Sequence, residues 1–218
     1  MGESRKKIGI MGGTFDPIHV GHLILGEAAW RQFGLDQVWY MPAGNPPHKQ
    51  NRAGRATDEQ RVDMVRLAIQ SNPHFVLSMQ EMNEDGYSYT YRTLEHLRAQ
   101  YPDVDWYFIM GADSLTDFDT WREPHRIVKN CQVVVATRNQ MDQDAFEKLL
   151  NRRREEFQHD FLKLDTPNLD VSSRHLRDML HAGQSIRYYV PDNVLSYIQK
   201  EELYQLSSED KTEGSSDS

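Results

Sequence analysis

Two histidines three residues apart, His19 and His22, follow a short apolar run that breaks at Gly12-Gly13, within the stretch IGIMGGTFDPIHVGHL at residues 8 to 23. A glycine turn between a strand and a helix is where α/β proteins hold phosphates, because the first helical turn offers backbone N–H groups and the positive end of its dipole. Such cradles ordinarily pair the backbone with a lysine, whereas here imidazoles stand at the junction. At i and i+3 the two rings share a helix face. Three chemistries fit them. They can form an ordinary polar first turn. They can form a metal pair, although no Cys or acidic ligand lies nearby at a zinc-like spacing. They can also donate N–H groups to a phosphate and stabilise the charge that develops on it.

The Gly12-Gly13 turn lacks the spacing of the dinucleotide fingerprint, and no Gly-Lys-Ser/Thr occurs, so neither that motif nor the P-loop applies. A second helix start, DVSSRHLR at 170 to 177, repeats the phosphate logic. Ser172 or Ser173 can cap it, and Arg177 lies one turn in, within reach of an anion at that end. Lys49, in PPHK at 46 to 49, is a flexible point charge on a loop whose two prolines lower its ordering cost; a solvated lysine is the alternative. Asp113 follows a strand and Gly111, which suits a carboxylate accepting both hydroxyls of a ribose. Trp121 is either core or a ring platform. The basic run RRREE at 152 to 156 reads as a solvated helix face, and His159-Asp160 lacks the partner ligands of a metal phosphohydrolase.

These residues need a scaffold, and the chain reads as strand and helix in alternation. Strands are expected at 7–11, 37–42, 75–80, 105–111, 131–138 and 161–165, and helices at 19–34, 59–71, 89–101, 142–157, 172–183 and 191–204. Thr57 or Asp58 caps the second helix. Such alternation predicts an α/β fold of Rossmann-like type, a doubly wound parallel sheet with helices on both faces. Ligands then bind beyond the carboxyl ends of the strands. Residues 12 to 22, the loop after Met41 and GADS at 111 to 114 should therefore meet on one edge.

Composition bounds the rest. A chain of 218 residues with no internal composition break is read as one domain over 1–204, followed by an acidic, Ser-rich tail at 205–218 too polar to order itself. The net charge is −8, of which the tail carries −3. A mildly acidic body lacks the electrostatic footprint of a nucleic-acid binder, so an anionic ligand should be small and held at a focused site. The single Cys131 permits no internal disulfide, and no apolar run approaches membrane-spanning length. The expectation is a soluble cytoplasmic protein with no resident protein-bound metal, and a homo-oligomer is compatible with it.

In sequence order, GGTFDPIHVGH, PPHK, YSYT at 87 to 90, GADS, Trp121 and VSSRHLR at 171 to 177 carry a resemblance. The segment His19-Val20-Gly21-His22 reproduces the His-x-Gly-His motif of the nucleotidyltransferase superfamily, and the six motifs together resemble the bacterial nicotinate mononucleotide adenylyltransferases from about residue 7 to 204. The resemblance implies that nicotinate mononucleotide attacks the α-phosphate of ATP, releasing pyrophosphate and forming deamido-NAD in NAD biosynthesis, with Mg²⁺ carried on the ATP phosphates. It implies catalytic roles for His19, His22, Lys49 and Arg177. Nucleotide contacts are implied at Gly12, Gly13, Thr14, Phe15, Gly111, Asp113, Ser172 and Ser173. For the acceptor it implies His48, Thr90, Trp121 and Arg122, with the indole stacked on the pyridine and backbone N–H groups of Thr90 and Arg122 on the carboxylate. One departure stands out: Arg174 occupies a position where the family has a small hydroxyl residue. Close rivals within the superfamily would act on phosphopantetheine or a sugar-alcohol phosphate. A non-catalytic nucleotide sensor on the same fold would be expected to lose His19, His22 or Arg177, and all three are present.

Overall fold

Runs such as Gln132–Ala136, with valines whose branched side chains suit a strand covered on both faces, build a parallel sheet in the computed structural model. The structure describes residues 5–44, 54–82, 88–136, 142–167 and 169–204. Among these, six strands pair in parallel: β1 Lys6–Gly13, β2 Gln37–Pro42, β3 Phe75–Leu77, β4 Val104–Gly111, β5 Gln132–Ala136 and β6 Phe161–Leu164, in the spatial order 3-2-1-4-5-6. The order reverses between β1 and β4. A crevice opens at such a reversal because the connections leave to opposite faces.

Helices α1 Val20–Phe33, α2 Asp58–Ile69, α7 Ser173–His181 and α8 Asp192–Lys200 supply one core with Met11, Ile109 and Val134. The other face takes α3 Thr90–Gln100, α4 Ala112–Thr116, α5 Pro124–Asn130 and α6 Gln143–Phe157 over Ile8, Ile10, Val133 and Val135. Successive valines of β5 thus enter opposite cores, as the two-residue period of a strand requires. The helix ends follow local chemistry. Thr57 caps α2 by accepting from the Gln60 N–H at 3.2 Å, while the Gln60 amide oxygen accepts the Thr57 N–H at 2.9 Å. Gly34 closes α1 in the left-handed region, at φ 60°.

Three differences from the expected elements matter for the site. Residues 112 to 130, expected to be without helices, form α4, a 3₁₀ turn at Phe118–Thr120 and α5, each too short to show a helical period in sequence. β3 ends at Leu77, three residues early. The last helix stops at Lys200 instead of running to Tyr204, and Glu202 and Tyr204 take positive φ values of 51° and 62° that turn the chain back inward. The 205–218 tail lies outside the described residues.

Candidate active site

β1 ends at Gly13, and the loop to α1 brings Phe15 and Asp16 into the interior, each 1% exposed. A side chain at Gly13 would crowd the Phe15 ring, its Cβ falling 3.0 Å away. His19 is the N-cap of α1 and is buried, while His22 is half-buried on the first turn. Their rings stack with centroids 3.8 Å apart, so the shared face expected from the spacing is present. Gly21 makes room for this pair, because a Cβ there would lie 3.0 Å from His19 Nδ1. The His19 backbone N–H donates to His22 Nδ1 at 3.3 Å. That bond sets the His22 tautomer: with Nδ1 accepting, the neutral ring carries its proton on Nε2 and acts there as a donor.

His22 lines a cavity of about 310 Å³ together with Thr14, Phe15, Asp16, Arg55, Ser173, Arg174 and Arg177. Three guanidinium-bearing residues and an imidazole around one cavity suit a multiply charged anion, with the Asp16 carboxylate offsetting one of the positive charges. Ser172 caps α7 by accepting from the His175 N–H at 3.2 Å, and the Ser173 hydroxyl donates to the Pro17 carbonyl at 2.9 Å. The first bond closes the start of α7 on itself, the second docks it on the loop after β1, and Arg177 one turn later donates to the Asp16 carbonyl. Burial pulls the Arg177 guanidinium below its usual value while the Asp16 charge acts the other way. It remains a cation at neutral pH because arginine starts so high.

Asp16 is the hub of this cavity. Its Oδ1 accepts from the Tyr204 hydroxyl at 2.7 Å and the Ala56 N–H at 3.2 Å, and its Oδ2 faces Arg55 at 3.2 Å and Arg177 at 3.7 Å. Burial, then the Asp16 charge, push the Tyr204 phenol far above its usual range, so it stays a donor. Arg61, 4% exposed, ties the two loops together by donating to the Thr14 carbonyl at 2.7 Å and the Ala43 carbonyl at 2.8 Å.

A second cavity, about 490 Å³, opens on the other side of Thr14. Gly12, Gly13, Thr90, Trp121 and Arg122 line it, with Met41, Phe108 and Leu94 giving it an apolar floor. Thr90 is the first residue of α3, so its N–H is among the first-turn donors that have no acceptor within the helix. Trp121 is half-buried, its ring 5.6 Å from Phe118 and 6.2 Å from Phe108, at the wall of the cavity. Glu81 also reaches this wall, its carboxylate accepting from the Thr93 hydroxyl at 2.9 Å.

The profile of the cytidylyltransferase-like family matches residues 10–179. The chain belongs to that family. Among curated relatives, a probable nicotinate-nucleotide adenylyltransferase of Lachnoclostridium phytofermentans is 39% identical over 91% of this chain and 99% of its own length. One from a Synechococcus species is 42% identical over 92% of this chain and 95% of its own. The chain is therefore a member of the nicotinate-nucleotide adenylyltransferase group within the cytidylyltransferase-like proteins. The fold agrees: the Plasmodium falciparum nicotinic acid mononucleotide adenylyltransferase complexed with NaAD aligns with a TM-score of 0.74 at 21% identity, over 91% of this chain and 97% of that one.

In this cytidylyltransferase-like protein the two cavities gather most of the residues singled out in the sequence. Gly111 and Asp113 stand at the carboxyl end of β4 and the first turn of α4, on the same sheet edge, but line neither cavity, and the same holds for the buried His19 and for Ser172 at the cap of α7. His48, Lys49 and Tyr87 lie outside the described residues. Sequence reasoning passed over Asp16, Arg55, Arg61, Glu81 and Tyr204. Gly12 and Gly13, expected to form a turn, instead complete β1, pairing with Met41 and Pro42; the Asp-Pro pair just beyond them was a visible signal for Asp16, since a carboxylate so close to a phosphate loop demands cationic partners. The others carried no local signal.

Proposed function

We propose that this protein transfers the adenylyl group of ATP to nicotinate mononucleotide by direct in-line attack, forming deamido-NAD and releasing pyrophosphate. A phosphate oxygen of the acceptor bonds to the α-phosphorus of ATP as the bond to the pyrophosphate oxygen breaks. The observation that carries the reading is that Thr14 lines both the cationic cavity and the apolar one. An acceptor whose ring lies by Trp121 would bring its phosphate to the residue where the triphosphate cavity begins. That nucleophile is already ionised at neutral pH, so the chemistry needs neither a general base nor a covalent intermediate. Positioning and charge neutralisation remain.

His22 Nε2–H, His19, Arg177 and the donors of Gly12 to Phe15 are assigned to the phosphates, with Lys49 from the 46 to 49 stretch and Ser172 and Ser173 setting the start of α7. Arg174, in place of a small hydroxyl residue, adds a cation at the same cavity. Gly111 and Asp113 are assigned to the adenosine ribose, and His48, Thr90, Trp121 and Arg122 to the acceptor. Backbone N–H donors at Thr90 and Arg122 match a carboxylate and oppose the NH₂ of an amide. Mg²⁺ fits as part of the ATP substrate. The cavity donors are cationic and both Asp16 oxygens are engaged by the protein, so phosphates and water would hold the ion. Among the described residues no helix is long and apolar enough to cross a membrane, in keeping with work on dissolved nucleotides in the cytoplasm.

The test is pyrophosphate release with ATP and Mg²⁺ against a panel of acceptors. Nicotinate mononucleotide should exceed its amide counterpart in kcat/KM by about tenfold or more, the equivalent of about 1.4 kcal/mol. Equal use of acid and amide, or faster turnover of phosphopantetheine, overturns the assignment.

A further inference from the structure

The run RRREE reads from sequence as a solvated helix face, and its middle arginine is not solvated. Arg153 lies on the inner side of α6 with 2% of its side chain exposed. Its Nε donates to the Leu115 carbonyl at 3.1 Å, and its Nη2 donates to the Thr116 carbonyl at 2.5 Å and to Asp119 Oδ1 at 2.6 Å. Nη1 is paired with Glu156 at 2.6 Å. Burying a guanidinium is costly unless its donors are committed, and here each nitrogen has an acceptor. Burial, the largest single effect, pulls its pKa down, but the hydrogen bonds and charges of Glu156 and Asp119 together hold it above the usual value.

The acceptors are not scattered. Leu115 and Thr116 close α4, where the last carbonyls have no donor within the helix, and Asp119 lies in the 3₁₀ turn that follows. Two residues further on is Trp121. Phe118, in the same turn and fully buried, packs 5.2 Å from the Phe157 ring of α6 and 5.6 Å from Trp121. α6 thus contributes no lining to the apolar cavity, yet it fixes the segment that does.

We propose that Arg153 is a positioning residue for the pyridine end of the acceptor, acting by clamping residues 115 to 119 so that Trp121 and Arg122 are held at the cavity wall. The proposal rests on the assignment of Trp121 as the ring platform. Arg153 touches none of the residues that line the triphosphate cavity, and Asp113, assigned to the ATP ribose, stands in the first turn of α4 at the end away from the clamp, so the loss falls mainly on the acceptor. Lysine restores the charge but not the fork, since four acceptors in different directions need a planar group with several N–H donors.

The experiment measures KM for nicotinate mononucleotide and for ATP, with melting temperature, for Arg153→Met and Arg153→Lys, each alone and combined with Trp121→Ala. Arg153→Met should raise KM for nicotinate mononucleotide by about tenfold and leave KM for ATP within about twofold, with Arg153→Lys between it and the parent. On the Trp121→Ala background each change should raise KM for nicotinate mononucleotide by clearly less than it does in the parent, because one of the two residues Arg153 serves is gone and only Arg122 is left to misplace. Equal rises for both substrates, or full multiplication with Trp121→Ala, overturns the proposal. If Trp121→Ala alone leaves KM unchanged, the platform assignment fails and the proposal with it. If Trp121→Ala raises KM and Arg153→Met does not, only the positioning role fails. Should Arg153→Met not fold, Asp119→Asn loosens the same clamp from its half-exposed end and reads the same split.

Discussion

Replacing His22 removes two functions from opposite sides of one ring, and the structure allows them to be separated. Nδ1 accepts the His19 N–H at 3.3 Å, a long neutral bond worth about 0.5–1.5 kcal/mol. Nε2–H is assigned to the developing phosphate charge, where loss of one donor costs about 2.7–4 kcal/mol, or about 10²–10³ in kcat. Alanine loses both. Asparagine retains an oxygen near the Nδ1 position but has no donor that reaches as far as Nε2, whereas glutamine carries its NH₂ to that distance and gives up the acceptor. His22→Asn should therefore melt like the parent and be as slow as His22→Ala. His22→Gln should lose about 1 kcal/mol, roughly 2–4 °C in melting temperature for a chain of this size, yet keep part of its rate. Single-turnover pyrophosphate release at saturating ATP, Mg²⁺ and nicotinate mononucleotide, set beside thermal melts, measures both quantities. Equal rates for the Asn and Gln variants, or near-parental rates for Asn, would refute the tautomer and the role drawn from it.

Two further predictions concern groups remote from the acceptor ring. Tyr204→Phe removes a donor to the buried Asp16 carboxylate, so it should cost about 1.5–3 kcal/mol in urea unfolding and raise KM for ATP more than for nicotinate mononucleotide; unchanged stability would show that the 2.7 Å bond contributes nothing. Cys131 is 7% exposed, and burial pushes its thiol up to about 12, so a thiol-specific disulfide reagent at pH 8 should react only after denaturant is added. Stoichiometric reaction in the native state would contradict that burial.

The His-x-Gly-His segment, the alternation of strands and helices, and the caps at Thr57 and Gly34 were legible because each is local. Periodicity reports which face of a segment is apolar, and a cap is settled within four residues. With the rule that parallel sheets bind at their carboxyl edges, those readings gathered residues 12 to 22, the loop after Met41 and GADS at 111 to 114 on one edge, whereas Thr90 and Trp121 joined the site through the family resemblance alone. What the sequence by itself could not assign were the polar groups whose partners lie far along the chain. Asp16 meets Tyr204 across 188 positions, Arg177 reaches Asp16 across 161, and Arg153 reaches Leu115 across 38. A charged residue looks solvated in sequence because water is its default partner, and only the docking of distant segments replaces that water with a carboxylate or a carbonyl. The short elements between Ala112 and Asn130 were hidden for a related reason: with five, three and seven residues they complete too few turns to show a period, and contacts with α6 and the sheet define them. The sequence thus determined the chemistry available and the edge on which it would collect, while the tertiary structure decided which charges became buried clamps, because only the packed chain removes the solvent that would otherwise satisfy them.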